Sequence, residues 1–113
     1  MITIKDVLKA KNVIRNKVYR TPLITNEELN GKTDNTVFLK LENLQRTGAF
    51  KIRGVINKIH SLSDKEKARG IICASSGNHG LGVVYVAHQE GFKATVVVPE
   101  ITPSEKVEKA TVC

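Results

Sequence analysis

Two short apolar runs, Ile71 to Ala74 and Ala94 to Val98, flank a stretch from Asn78 to Glu90 that Gly91 closes. Uninterrupted runs of this length suit strands buried in a parallel sheet, and the stretch between them suits a largely buried helix ended by a C-terminal glycine. The pattern is a βαβ unit. Parallel neighbours need a crossover, and crossover helices cover the sheet, so the expected class is α/β, an open parallel sheet with helices on both faces. Thr102-Pro103-Ser104-Glu105 then supplies a cap and a proline at the first position of one more helix, after which the pattern is cut off.

The first half of the chain reads as shorter elements. Thr3 with Asp6 forms a capping-box pattern, and Ile4, Val7, Leu8 and Ile14 recur at helical intervals, which predicts an amphipathic helix. Thr21 must leave that helix because it precedes Pro22. Asn30-Gly31-Lys32 to Asn35 reads as a turn, and Val37 to Leu41 as a short strand. Gly48-Ala49-Phe50-Lys51 opens a second helix, in which Ile52, Val55, Ile56, Ile59 and Leu62 share one broad apolar face. Ser63 and Glu66 cap a short charged helix that runs to Gly70.

At 113 residues with 41% hydrophobic content the chain has the length of one domain with a modest core. Its apolar runs fall far short of the roughly 20 residues of a membrane helix, and Met1-Ile2-Thr3-Ile4-Lys5-Asp6 has none of the organisation of a secretory signal. No membrane partner is expected, and cytoplasmic residence is the default. Cys73 and Cys113 give neither a disulfide framework nor a metal-ligand spacing, so both are expected to be unpaired and no metal is expected. The net charge of +7 comes from 18 Lys and Arg scattered among 11 acids, with only 4% aromatic residues for base stacking. That distribution suits solvated surface rather than a nucleic-acid partner, and a basic field also suits an anionic cofactor or a carboxylate substrate.

Two segments could carry chemistry. Ser75-Ser76-Gly77-Asn78-His79-Gly80 joins a buried strand to a helix, where open α/β sheets place their ligands. Unpaired N–H groups and the helix dipole there would collect a small anion; a plain strand-to-helix turn uses the same residues, and composition leaves both readings open. Gly77, Gly80 and Gly82 do not have the spacing of a dinucleotide or nucleoside-triphosphate loop. Lys51 would sit in the first turn of its helix, where the partial positive charge opposes an ammonium and favours a nucleophilic amine able to react with a carbonyl cofactor. A surface charge in a first turn looks the same in the sequence.

The run Leu41-Glu42-Asn43-Leu44-Gln45-Arg46-Thr47-Gly48-Ala49-Phe50-Lys51-Ile52-Arg53-Gly54, followed by Ala74-Ser75-Ser76-Gly77-Asn78-His79-Gly80, resembles the two N-terminal signatures of fold-type II pyridoxal-phosphate enzymes. This fold is tryptophan synthase beta-like. Phe-Lys-Ile-Arg-Gly and Arg20-Thr21-Pro22-Leu23 resemble the branch of threonine dehydratase (threonine ammonia-lyase), serine dehydratase and serine racemase; cysteine and threonine synthases usually carry aspartate where Ile52 stands. The resemblance implies that residues 1–69 are the N-terminal part of a larger cofactor domain and 70–113 the beginning of a smaller α/β domain. It implies that Lys51 holds pyridoxal 5'-phosphate as a Schiff base and then moves protons at the substrate's alpha carbon, with Phe50 beside the cofactor ring. Asn78 would bond the cofactor's phenolic oxygen, and Ser75, Ser76, Gly77, Asn78 and His79 would wrap the substrate carboxylate. Ser76 aligns with the second proton-transfer residue of the racemases, and a dehydratase can hold a serine there simply as a carboxylate ligand. For His79 a structural or carboxylate-side role is expected over a general base.

Two features depart from the family pattern. Leu81 stands where many members have glutamine. The family also grips the cofactor phosphate with consecutive glycines far downstream, whereas all eight glycines here stand apart. The chain is therefore expected to be the N-terminal part of a longer enzyme, shortened by truncation, frameshift or design. The implied reaction is dehydration and deamination of L-threonine or L-serine to a 2-oxo acid and ammonia, with threonine favoured and a homo-oligomer formed at full length. The rivals are a serine racemase and a non-catalytic fragment lacking the phosphate loop.

Overall fold

The structure is a computed structural model that describes residues 1–111, so the expectation for Cys113 lies outside the described residues. Helix α1 spans Ile4–Ile14 and starts at the expected capping box, the Asp6 carboxylate accepting from the Thr3 N–H at 2.8 Å and its hydroxyl at 2.7 Å. Strands β1 (Leu23–Thr25) and β2 (Phe38–Lys40) pair antiparallel, with Leu23 opposite Lys40 and Thr25 opposite Phe38. The sequence pattern gives β2 but not β1, whose three residues are too few to show alternation.

The segment expected as a turn at residues 30–35 is different. Helix α2 runs through Glu27–Thr33 and takes Asn30, Gly31 and Lys32 into its body. Asn26 caps it by accepting from the Leu29 N–H at 2.9 Å, Glu27 and Glu28 face the positive end of the dipole, and Glu28 pairs with Lys32 one turn on. These contributions outweigh the cost of Gly31, about 1 kcal/mol. The reversal comes later, at Asp34, whose φ of 52° is left-handed.

Helices α3 (Lys51–His60) and α5 (Asn78–Glu90) form the centre of the molecule, with the short α4 (Asp64–Ala68) after α3. Strands β3 (Ile71–Ala74) and β4 (Ala94–Val97) pair in parallel, Ile71 beside Ala94 and Ala74 beside Val97, which is the expected βαβ unit. Ile52, Val55, Ile56 and Ile59 of α3 meet Val83 and Val86 of α5, and Ile71, Cys73 and Ala94 pack onto this cluster from the sheet. Full burial of a side chain such as Ile52 stabilises by roughly 1.5–3 kcal/mol. Leu62 lies just beyond α3 and is half-buried. The other face of the strand pair carries Ile72 and Val97, which are 71% and 51% exposed. Cys73 is unpaired, as expected, and burial pushes its thiol pKa up. Helix α6 spans Ser104–Thr111, starting one residue after Pro103. Among the described residues no helix is long and apolar enough to cross a membrane.

The contact between α3 and α5 sets their direction. A Cβ added at Gly82 would lie 3.7 Å from both the backbone N and the Cα of Ile52 and 3.4 Å from Val55 Cγ2. One turn further along both helices, Ile56 shares a groove with Tyr85, Val86 and Gln89. Position 52 faces 82 and position 56 faces 86, so the two helices advance together and begin at the same end of the molecule.

Candidate active site

Lys51 is the first residue of α3, reached from β2 through a 3-10 turn at Glu42–Leu44 and a tight loop. In that loop the Gly48 N–H donates to the Gln45 carbonyl at 2.8 Å while Gly48 holds φ 69°, a left-handed value that a side chain would strain. Phe50 is the N-cap residue and offers no side-chain cap; its carbonyl accepts from the Arg53 N–H at 3.1 Å, while the N–H groups of Lys51 and of the buried Ile52 have no partner among the described residues. The Lys51 amine is exposed, lies 5.3 Å from the centroid of the Phe50 ring, and has no carboxylate partner among the described residues.

The 75–80 turn begins α5 at the same end. Ser75 Oγ accepts from the Gly80 N–H at 3.1 Å and, more weakly, from the Gly77 N–H at 3.3 Å. The expectation that the turn's N–H groups are all unpaired is corrected here, because the Ser75 hydroxyl folds back onto two of them as a local cap. The N–H groups of Ser76, Asn78 and His79 have no partner among the described residues. Ser76, Gly77, Asn78 and His79 are exposed and Ser75 is half-buried. Gly80 is a steric requirement: a Cβ there would come within 2.9 Å of the Ser75 carbonyl oxygen and 3.0 Å of Val96 Cγ1.

The structure thus places the expected residues on the openings of two parallel helices. Each helix N-terminus carries roughly half a positive charge, and free N–H groups beside it suit a carboxylate or another small anion. An unpaired amine with an aromatic ring beside it suits a carbonyl-bearing aromatic cofactor. The residues present fit that group, apart from the phosphate grip, which the separated glycines do not supply. Two grooves, of about 550 Å³ beside α1 and about 380 Å³ beside the end of α5, lie elsewhere, since neither is lined by residues of 47–52 or 75–80.

Sequence reasoning missed a polar network behind Lys51. Arg53 donates from Nε to Glu42 Oε2 at 2.8 Å and from Nη2 to Glu42 Oε1 at 2.6 Å, and Thr21 Oγ1 donates to Glu42 Oε1 at 2.5 Å. The Arg53 guanidinium, with smaller help from Thr21 and Gln45 and against the cost of burial, holds the Glu42 pKa down to about 2. Glu42 in turn raises that of Arg53. The buried Gln45 accepts from the Tyr19 N–H and donates to the Tyr19 carbonyl, both at 2.9 Å. The signal available was a run of charged and amide side chains around Lys51; spacing alone does not pair Glu42 with Arg53 across an intervening loop.

Residues 14–112 match the model of the pyridoxal-phosphate dependent enzyme family, and the chain belongs to that family. It is 45% identical over 109 residues to an L-threonine ammonia-lyase of Thermotoga maritima, covering 96% of this chain and 27% of the relative. A catabolic L-threonine dehydratase of Staphylococcus aureus is 47% identical over 107 residues, which is 94% of this chain and 31% of the relative. The serine racemase of Dictyostelium discoideum superposes with a TM-score of 0.91 at 39% identity, covering 98% of this chain and 36% of that one. The chain spans less than a third of the length of these two curated relatives.

Proposed function

We propose that this chain is the N-terminal part of a threonine ammonia-lyase, which converts L-threonine, and L-serine less readily, to a 2-oxo acid and ammonia. The observation that carries the reading is the unpaired Lys51 amine at the same end of two parallel helices as the free N–H groups of Ser76, Asn78 and His79. Pyridoxal phosphate, when bound, supplies an electron sink for the charge left as the alpha proton departs. Lys51 is the residue that would hold it and would carry the proton at the alpha carbon. Phe50 would pack beside the ring, and Asn78 would bond the phenolic oxygen. Ser75, Ser76, Gly77, Asn78 and His79 orient the substrate carboxylate, which fixes the alpha C–H toward Lys51. Residues 1–69 belong to the cofactor domain and 70–113 open the smaller domain of a cytoplasmic homo-oligomer without nucleic-acid or membrane partners.

A serine racemase is the second reading, favoured by the likeness to the Dictyostelium enzyme and by the exposed Ser76. The test is a chimera that continues this chain with the remainder of the Thermotoga relative. It should release ammonia and 2-oxobutanoate from L-threonine, and Lys51→Ala should remove at least about 10²-fold of that activity and the cofactor absorbance near the visible edge. Ammonia release that survives Lys51→Ala with its absorbance band would reject Lys51. Interconverted serine enantiomers without 2-oxo acid would select the racemase, and a well-folded chimera that does neither would leave a non-catalytic fragment.

A further inference from the structure

The first turn of α3 is open where a helix usually has a side-chain cap. Phe50 contributes no side-chain cap, so the Lys51 N–H has no partner among the described residues and the turn is closed locally only by the Phe50 carbonyl, which accepts from the Arg53 N–H at 3.1 Å. Its residues are held from two other directions. Ile52, fully buried, locks one side of the helix into the core. Arg53 faces the other way and forks onto both oxygens of Glu42, a bidentate geometry that fixes orientation as well as distance. Arg53 Nη2 also donates to the Tyr19 carbonyl at 3.2 Å, and Gln45 Nε2 donates to that same oxygen at 2.9 Å. The segment from Gln45 to Arg53, with Lys51 inside it, is therefore tied at both ends to one peptide group.

We infer that Glu42 and Arg53 are positioning residues for the Lys51 amine, standing in for the missing cap by clamping the Lys51 loop onto Tyr19. The inference rests on the assignment of Lys51 above. A helix start set by core at Ile52 and by a guanidinium fork at Arg53 fixes the backbone from which the Lys51 side chain extends, while the Lys51 N–H stays unpaired.

The test uses the purified 113-residue chain, with pyridoxal as an aldehyde probe and borohydride to trap adducts. Lysine labelling is mapped by peptide mass spectrometry across pH, with the exposed Lys65 as internal reference. In the unaltered chain Lys51 should label well above Lys65. Glu42→Gln should lower the Lys51-to-Lys65 ratio roughly tenfold, since small misplacements of a reacting group carry penalties of this order, and should move its pH midpoint. Arg53→Lys, which keeps the charge and loses the fork, should fall between. Thr21→Val removes a bond to Glu42 but spares the fork, so it should lower the melting temperature and leave the ratio unchanged. If Glu42→Gln does not fold, the Arg53→Lys ratio and pH profile decide alone. A ratio that follows melting temperature across all variants, or that stays at the unaltered value in Arg53→Lys, would overturn the positioning role. Absence of preferential Lys51 labelling in the unaltered chain would instead overturn the cofactor assignment beneath it.

Discussion

Arg53 grips both carboxylate oxygens of Glu42 across the loop that carries Lys51, at 2.8 and 2.6 Å. The pairing joins α3 to the 3-10 turn, and Thr21 extends it to the segment before β1. An ion pair with both partners mostly shielded and every hydrogen bond directed matters more than one at the open surface.

Acid should therefore loosen this corner before the core. The Glu42 pKa lies near 2 in the folded chain against an ordinary 4.5, so Glu42 binds a proton more readily when unfolded. Its contribution is complete above about pH 4.5 and disappears as pH falls toward about 2. Melting temperature followed from pH 6 to pH 2 should fall more steeply in the unaltered chain than in Glu42→Gln. Parallel curves would mean that the pair adds no pH-dependent stability.

Gly80 and Gly82, two residues apart on α5, should respond oppositely to alanine. At Gly80 the added methyl meets a backbone oxygen at 2.9 Å and Val96 at 3.0 Å, an overpacking expected to cost about 1–3 kcal/mol. At Gly82 the nearest atom is Val55 Cγ2 at 3.4 Å, within contact range, and alanine's helix propensity offers about 0.5–1 kcal/mol. Gly80→Ala should lower the urea midpoint, and Gly82→Ala should leave it level or raise it. Equal losses would show that α3 and α5 pack more tightly than this geometry.

The βαβ unit was legible because its signals are local: apolar runs of strand length, a helical interval and a closing glycine. The capping boxes at Thr3 and Ser63 were legible for the same reason, each needing only four consecutive residues. Helix α2 was misread because Asn30 and Gly31 carry turn propensity, while the cap at Asn26 and the Glu28–Lys32 pair that override it act together. The motifs singled out Lys51 and residues 75–80, which lie at the openings of α3 and α5. The clamp behind them was not legible, since Tyr19, Gln45 and Arg53 meet only through the folded loop.

Ser75 has a capping role that can be measured. Its Oγ accepts from the N–H groups of Gly77 and Gly80, so Ser75→Ala removes a local cap and should cost about 1 kcal/mol. Amide hydrogen exchange at residues 77–80 should accelerate while exchange at Val83 and Val86 in the core stays slow. Unchanged exchange at Gly80 would show that the bond is not made in solution.

Ser76 separates the two enzymatic readings. Its side chain is exposed at the opening of α5 and makes no hydrogen bond among the described residues, so it is free either to bind a carboxylate or to exchange a proton. A carboxylate ligand contributes to binding, and its removal should raise KM for L-threonine with a smaller change in kcat. A proton-transfer residue acts only in the reaction, and its removal should lower kcat by about 10²–10⁴-fold for racemisation. In the chimera, Ser76→Ala should accordingly keep most of the 2-oxobutanoate formation at saturating L-threonine. Loss of D-serine formation from L-serine, with no rise in KM for L-threonine, would place Ser76 in proton transfer and favour the racemase.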